Sequence, residues 1–113
     1  MTLSEEQRNM LLLLSWLQLQ CGQAERARTL ADALLLASPG HPAGRRIRML
    51  ALLELGEGVS AERACDELLA AGEQPRALWL CIGRARQLAG RLEEAQEAFQ
   101  HYLNNQDADE YAL

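Results

Sequence analysis

The stretch Trp79-Leu80-Cys81-Ile82-Gly83-Arg84-Ala85-Arg86-Gln87-Leu88-Ala89-Gly90-Arg91-Leu92-Glu93-Glu94-Ala95-Gln96-Glu97-Ala98-Phe99-Gln100-His101-Tyr102 decides the fold. A large residue, Trp79, is followed three on by Ile82 and four on by Gly83. Gly90 then supplies a position where the backbone can take φ > 0 at no steric cost. Glu93 and Glu94 come next, where the dipole of a new helix favours anions. Ala95 and Phe99 are one turn apart and share a helix face. Two antiparallel helices satisfy all of this, with Gly83 letting the second approach the first closely.

The pattern recurs upstream. Leu11, Ile47 and Trp79 are spaced by 36 and 32, as are Leu14, Leu50 and Ile82. The small residues Ser15, Ala51 and Gly83 and the turn glycines Gly22, Gly58 and Gly90 keep the same spacing. Ala27, Ala64 and Ala95 are spaced by 37 and 31. The mean period is 34, which resembles the tetratricopeptide repeat, W-x2-L-G-x2-Y…A-x3-F…P. Gln18, Glu54 and Arg86 stand where that pattern wants Tyr, Ala31 where it wants Phe, and the second repeat carries one extra residue before Ala64. The expected fold is all-α: three tetratricopeptide-like helix hairpins forming a short right-handed superhelix, with repeats over about 5–38, 43–72 and 75–104.

Local signals set the helix ends. Ser4 and Gln7 form a capping box, so the first helix runs from Glu5 to Cys21 and stops at Gly22. The second runs from Ala24 to Ala37. The turn Ser38-Pro39-Gly40-His41-Pro42 leads into a third from Ala43 to Leu55. Ser60 caps the fourth, which ends near Ala71. Pro75 suits the first turn of the fifth. The sixth starts at Arg91 or Leu92 and frays around Asn104 and Asn105. Residues 1–105 make the domain. Residues 106–113 are an acidic tail or a short capping helix through Tyr111 and Leu113.

Composition excludes several function classes. The chain has 113 residues and a net charge of −5, without the basic footprint of a nucleic-acid binder. All eleven cations are Arg. Leu and Ala, both strong helix formers, dominate the apolar residues. The longest unbroken apolar run, Met10 to Leu14, is far short of a membrane span. No signal peptide is evident, and three isolated cysteines, Cys21, Cys65 and Cys81, suit a reducing cytosol. No cysteine pair has zinc or redox spacing, and neither His41 nor His101 has a ligand partner at a metal offset. Glu5-Glu6 and Glu93-Glu94 diverge by about 100° on a helix, so neither is an acid/base couple. An enzyme, a cofactor and a metal site are not expected.

A binding role then falls to the concave face of the repeats, lined by the first helix of each hairpin. Counting from Leu11, Ile47 and Trp79, that face comprises Leu12, Leu13, Trp16, Leu19 and Gln20; Arg48, Met49, Leu52, Leu55 and Gly56; and Leu80, Cys81, Arg84, Gln87 and Leu88, with Arg48 and Arg84 at its edges. Part of this set must serve as core where the helices meet. The remainder makes an apolar groove suited to an amphipathic helix. The first helix is apolar all round, as buried helices are. Its stripe Leu3, Met10 and Leu17 suggests a second partner or self-association.

In length, start and repeat layout nearly the whole chain resembles the PscG/YscG family, cytosolic chaperones of the type III secretion needle subunit. The resemblance implies a groove that holds the amphipathic C-terminal helix of the needle subunit and prevents premature polymerisation by covering it. It also implies a small helical co-chaperone completing a heterotrimer, with Leu3, Met10 and Leu17 as its surface. The alternative is a generic tetratricopeptide adaptor for an amphipathic regulatory peptide.

Overall fold

The computed structural model describes residues 2–73 and 75–111, with the backbone alone at 75 and 105–111. Its helices are α1 Glu5–Gln20, α2 Ala24–Ala37, α3 Pro42–Glu54, α4 Gly58–Ala70, α5 Pro75–Leu88 and α6 Leu92–Tyr111. The fold class is all-α, and no strand occurs among the described residues.

Local chemistry fixes most ends. The Ser4 hydroxyl accepts from the Gln7 amide at 3.1 Å, and the Gln7 side chain accepts from the Ser4 amide at 2.9 Å. Two orphan donors of α1 are thereby satisfied. His41 caps α3: its Nδ1 accepts from the Gly44 amide at 3.1 Å, and Pro42 occupies the first helical position. α6 continues to Tyr111, past the end expected near Asn104 and Asn105. A capping helix reaching Leu113 lies outside the described residues.

The period is sharper than the sequence count. Gly22, Gly56 and Gly90 adopt φ of 75, 76 and 82° and recur at an even interval. The starts of α2, α4 and α6 at Ala24, Gly58 and Leu92 keep that interval. So do Ala27, Ala61 and Ala95, all buried. The second repeat therefore holds no extra residue. Gly56, not Gly58, makes the turn, and α4 begins at Gly58 with Ser60 already inside it. The cause is tertiary. A Cβ on Gly58 would stand 2.5 Å from the Ala85 carbonyl oxygen and 2.6 Å from the Ala89 nitrogen. Gly58 is thus a close-approach residue against the backbone of α5.

The chain divides into two compact units, Met1–Leu55 and Gly56–Leu113. The middle hairpin expected from the sequence has α3 in one unit and α4 in the other. In unit 1, α2 packs on both α1 and α3. Leu19, Ala27, Ala31, Ile47 and Ala51 form its buried cluster, with Leu12 packed against it. The alanines leave no side-chain bulk between helices, so the axes approach closely. In unit 2, α5 packs on both α4 and α6. Gly83 meets α6 as the spacing predicts: a Cβ there would lie 2.5 Å from the Phe99 ring. Arg86, standing where the repeat pattern wants Tyr, donates from Nε to Glu62 at 2.7 Å. Arg91 pairs with the other Glu62 oxygen and holds Glu94 at 2.7 Å. The Glu62 carboxylate, well covered by its surroundings, thus ties α4 to α5 and to the α5–α6 turn.

Candidate functional site

Consecutive helices in unit 1 are joined by short turns and pack on each other, so they run antiparallel. α1 and α3 therefore run the same way, and they also touch. Between them lies an open cleft of about 540 Å³. α1 contributes Asn9, Leu12, Leu13 and Trp16; α3 contributes Ala43, Arg46, Ile47 and Leu50. Each set is an i, i+3, i+4, i+7 stripe, the pattern of one helix face. Member by member the two sets are one full period apart, so equivalent positions of successive repeats build the two walls.

Leu12 and Ile47 form the floor, because both also belong to the core of unit 1. Leu13, Trp16 and Leu50 stand on the walls, 52, 47 and 39% exposed. Apolar side chains this open, gathered along one concavity, are the usual lining of a binding site. Arg46 is the single charged residue among the lining.

Three residues of the expected groove, Leu12, Leu13 and Trp16, line the cleft. The α3 assignments do not. Met49 and Leu52 are 4 and 0% exposed and belong to the core, as does Leu19. Arg48 turns toward α2, where its Nε donates to Asp32 at 2.7 Å. Leu55 is half-buried at the C-cap of α3. One cause explains the shift: counting from Ile47 instead of Arg45 slips the register by two positions. On a helix that is a rotation of about 200°, which exchanges the groove face for the core face. The same slip hides Arg46, Ile47 and Leu50. Asn9 and its equivalent one period on, Ala43, lie outside the positions counted in either repeat. Counting one full period back from Trp79, through Gly56 rather than Gly58, finds Arg46, Ile47 and Leu50.

The expected residues of α5 sit in unit 2. Leu80 and Arg84 are exposed, and Cys81 and Leu88 are half-buried. Arg84 donates to the Gln87 side chain at 3.2 Å. Leu80, Cys81 and Arg84 follow Arg46, Ile47 and Leu50 by one period, so α5 carries the corresponding stripe.

The stripe expected to meet a second partner also has a clear position. Met10 and Leu17 are exposed on α1 and Leu3 is half-buried. Leu14, between them, is exposed too. Within α1 only Ser15 and Leu19 are buried, so the helix is apolar well beyond what its own unit covers. Among the described residues no helix is long and apolar enough to cross a membrane. No group of His, Cys, Asp and Glu among them could hold a metal ion.

No protein-family model matches the chain. It is 49% identical over 109 residues to the chaperone protein YscY of Yersinia enterocolitica serotype O:8, covering 96% of both chains. The chaperone protein YscY of Yersinia pestis matches with the same identity and coverage.

Proposed function

The chain belongs to the YscY chaperone family, and from that premise we propose that it is a cytosolic chaperone holding an amphipathic helix of a type III secretion substrate in the cleft between α1 and α3. The observation that carries this is the cleft itself, in which Leu13, Trp16 and Leu50 stand open to solvent above an apolar floor. A helix laid there with apolar anchors at i, i+3, i+4 and i+7 would cover them, as helix-in-groove complexes do. The mechanism is steric and needs no chemistry: the bound face of the substrate is unavailable for self-assembly.

Family membership revises the resemblance read from the sequence. The relatives carry the name YscY, not that of the PscG/YscG needle chaperones. The needle subunit loses the support which that resemblance supplied. The proposal keeps the ligand's chemistry, an amphipathic helix, without the needle identity. A small helical co-chaperone is proposed for the outer face of α1, at Leu3, Met10 and Leu17. The exposure of Met10 and Leu17 supports it. Leu80, Cys81, Arg84 and Leu88 offer unit 2 its own apolar stripe for ligand contact.

Leu50→Asp tests the cleft. Tagged full-length protein is recovered from its native cytosol and the captured proteins identified. The variant should lose the captured secretion substrate while its circular dichroism stays helical, because Leu50 is a wall residue. Leu52→Asp should instead unfold unit 1. A substrate retained at wild-type level by folded Leu50→Asp would remove the cleft from the proposal.

A further inference from the structure

Cys65 and Cys81 are sixteen residues apart in the chain, and the fold of unit 2 brings them together. Helices α4 and α5 are joined by a short turn and pack on each other, so they run antiparallel. Gly58 marks their register, since a Cβ there would lie 3.0 Å from the Leu88 carbonyl carbon. Cys65 stands seven residues on from Gly58, and Cys81 seven back from Leu88. Seven residues are about two turns, so the two cysteines lie opposite each other, on the sides where Gly58 and Leu88 meet. The Glu62–Arg86 bond at 2.7 Å ties the helices between these two points. Unit 1 repeats the arrangement one period earlier: Ala31 and Ile47, the equivalents of Cys65 and Cys81, belong to one buried cluster. Cys65 is fully buried and Cys81 half-buried, whereas the third cysteine, Cys21, is exposed in unit 1.

Helix axes packed about 8–10 Å apart, with Cα atoms about 2.3 Å from each axis, bring facing Cα atoms to about 3.4–5.4 Å and flanking ones further apart. That range takes in the Cα separation of about 4.4–6.8 Å that a disulfide spans. Gly58 and Ala61, small and buried, favour the close approach of α4 to α5. We propose that Cys65 and Cys81 are a redox-reversible pair whose disulfide staples α4 to α5. The oxidant is a small-molecule disulfide such as oxidised glutathione. The Cys81 thiolate, the more accessible, attacks one of its sulfurs, forming a mixed disulfide and releasing one small thiol. The Cys65 thiolate then attacks the Cys81 sulfur, forming the internal disulfide and releasing the second. Two protein thiols give up two protons and two electrons, and the small disulfide takes up both. Burial, followed by the neighbouring Cys81, pushes the Cys65 thiol up to about 12, and burial pushes Cys81 up as well. Both are protonated at neutral pH, so exchange there is slow and follows the thiolate fraction as pH rises. A reducing compartment keeps the pair as a dithiol, and an oxidising one closes it.

The test incubates the reduced, folded full chain at low concentration with excess oxidised glutathione in mildly alkaline buffer. The reaction is quenched with acid and the tryptic peptides are read by mass spectrometry. The peptides of Cys65 and Cys81 should be linked to each other, and Cys21 should carry glutathione. Linkage should speed up about tenfold per pH unit while the thiols remain mainly protonated. Cys65→Ala should trap glutathione on Cys81, and Cys81→Ala should leave Cys65 a free thiol. The oxidised chain should melt about 5–15 °C above the reduced one, and dithiothreitol should abolish the gain. Glutathione that stays on Cys81 in the wild type, or an internal disulfide that includes Cys21, would overturn the pairing. An oxidised chain that melts at or below the reduced temperature would overturn the staple.

Discussion

Replacing Gly58 with Ala probes the register on which the cleft depends. The added Cβ would stand 2.5 Å from the Ala85 oxygen, 2.6 Å from the Ala89 nitrogen and 3.0 Å from the Leu88 carbonyl carbon. All three are backbone atoms of α5 or its C-cap, so no rotamer change relieves the clash and α4 must move off α5. Over-packing of this kind costs about 1–3 kcal/mol. Ala gains up to about 1 kcal/mol of helix propensity over Gly, and less at the first position of a helix, which leaves a net loss of about 1–2 kcal/mol. For a chain of this size that lowers the melting temperature by about 4–8 °C, read by far-ultraviolet circular dichroism. Gly56 is the control. Its φ is 76° and nothing lies within 4 Å of its Cβ position, so Gly56→Ala costs about 1–2 kcal/mol through backbone strain alone. Asn tolerates the left-handed conformation, and Gly56→Asn should recover part of the loss. Gly58→Asn should be worse than Gly58→Ala. A Gly58→Ala protein that melts at or above the wild-type temperature would refute the register, as would rescue by Asn at 58 but not at 56.

Gly83→Ala should cost less than Gly58→Ala, near the lower end of about 1–3 kcal/mol, because the 2.5 Å contact is with the Phe99 ring, which can shift; pairing it with Phe99→Leu should restore the melting temperature. Glu62→Gln weakens charge-assisted bonds to Arg86 and Arg91 and should cost about 1.5–3 kcal/mol in urea unfolding; Asp66→Asn, on the exposed side of α4, is the neutral comparison. Burial, followed by the neighbouring Cys81 and Asp66, pushes the Cys65 thiol up from 9.0 to about 12. Below pH 9 the thiol is protonated in both states and its contribution to stability is whole; between pH 9 and 12 the unfolded chain gives up a proton that the folded chain keeps, so stability falls as pH rises. That loss approaches about 1.4 kcal/mol per pH unit, and Cys65→Ala should flatten the decline of the urea midpoint above pH 9.

Much of the fold is legible because it is written in contacts three or four positions long. Ser4 and Gln7 close their box within one turn. Gly22 and Gly90 take the φ that only a residue without a Cβ adopts freely. α2 begins and ends where the spacing predicts, at Ala24 and Ala37. In α1 the positions of Leu12, Leu13 and Trp16 along the cleft are legible because that repeat lies in phase with Arg45 and Trp79, whereas Leu19, counted with them, is core. The resemblance read from length, start and repeat layout points to a type III secretion chaperone but to the PscG/YscG family instead of the YscY family, since repeat residues serve packing and carry no record of the ligand.

The sequence by itself determined six helices, the capping box of α1, the mean period of the repeats and an excess of apolar surface on α1. Only the tertiary structure decided which glycine of Gly56-Glu57-Gly58 makes the turn. Either could take a left-handed φ, and the choice rests on the backbone of α5, remote in the chain, lying against Gly58. It also decided which side of α3 is core. Ile47, Met49, Leu50, Ala51, Leu52, Leu53 and Leu55 surround that helix with apolar side chains, so a rotation of about 200° yields an equally apolar stripe. Hydrophobic periodicity has no phase on such a helix. Contact with α2 supplies it by burying Leu52 and leaving Leu50 on the wall of the cleft.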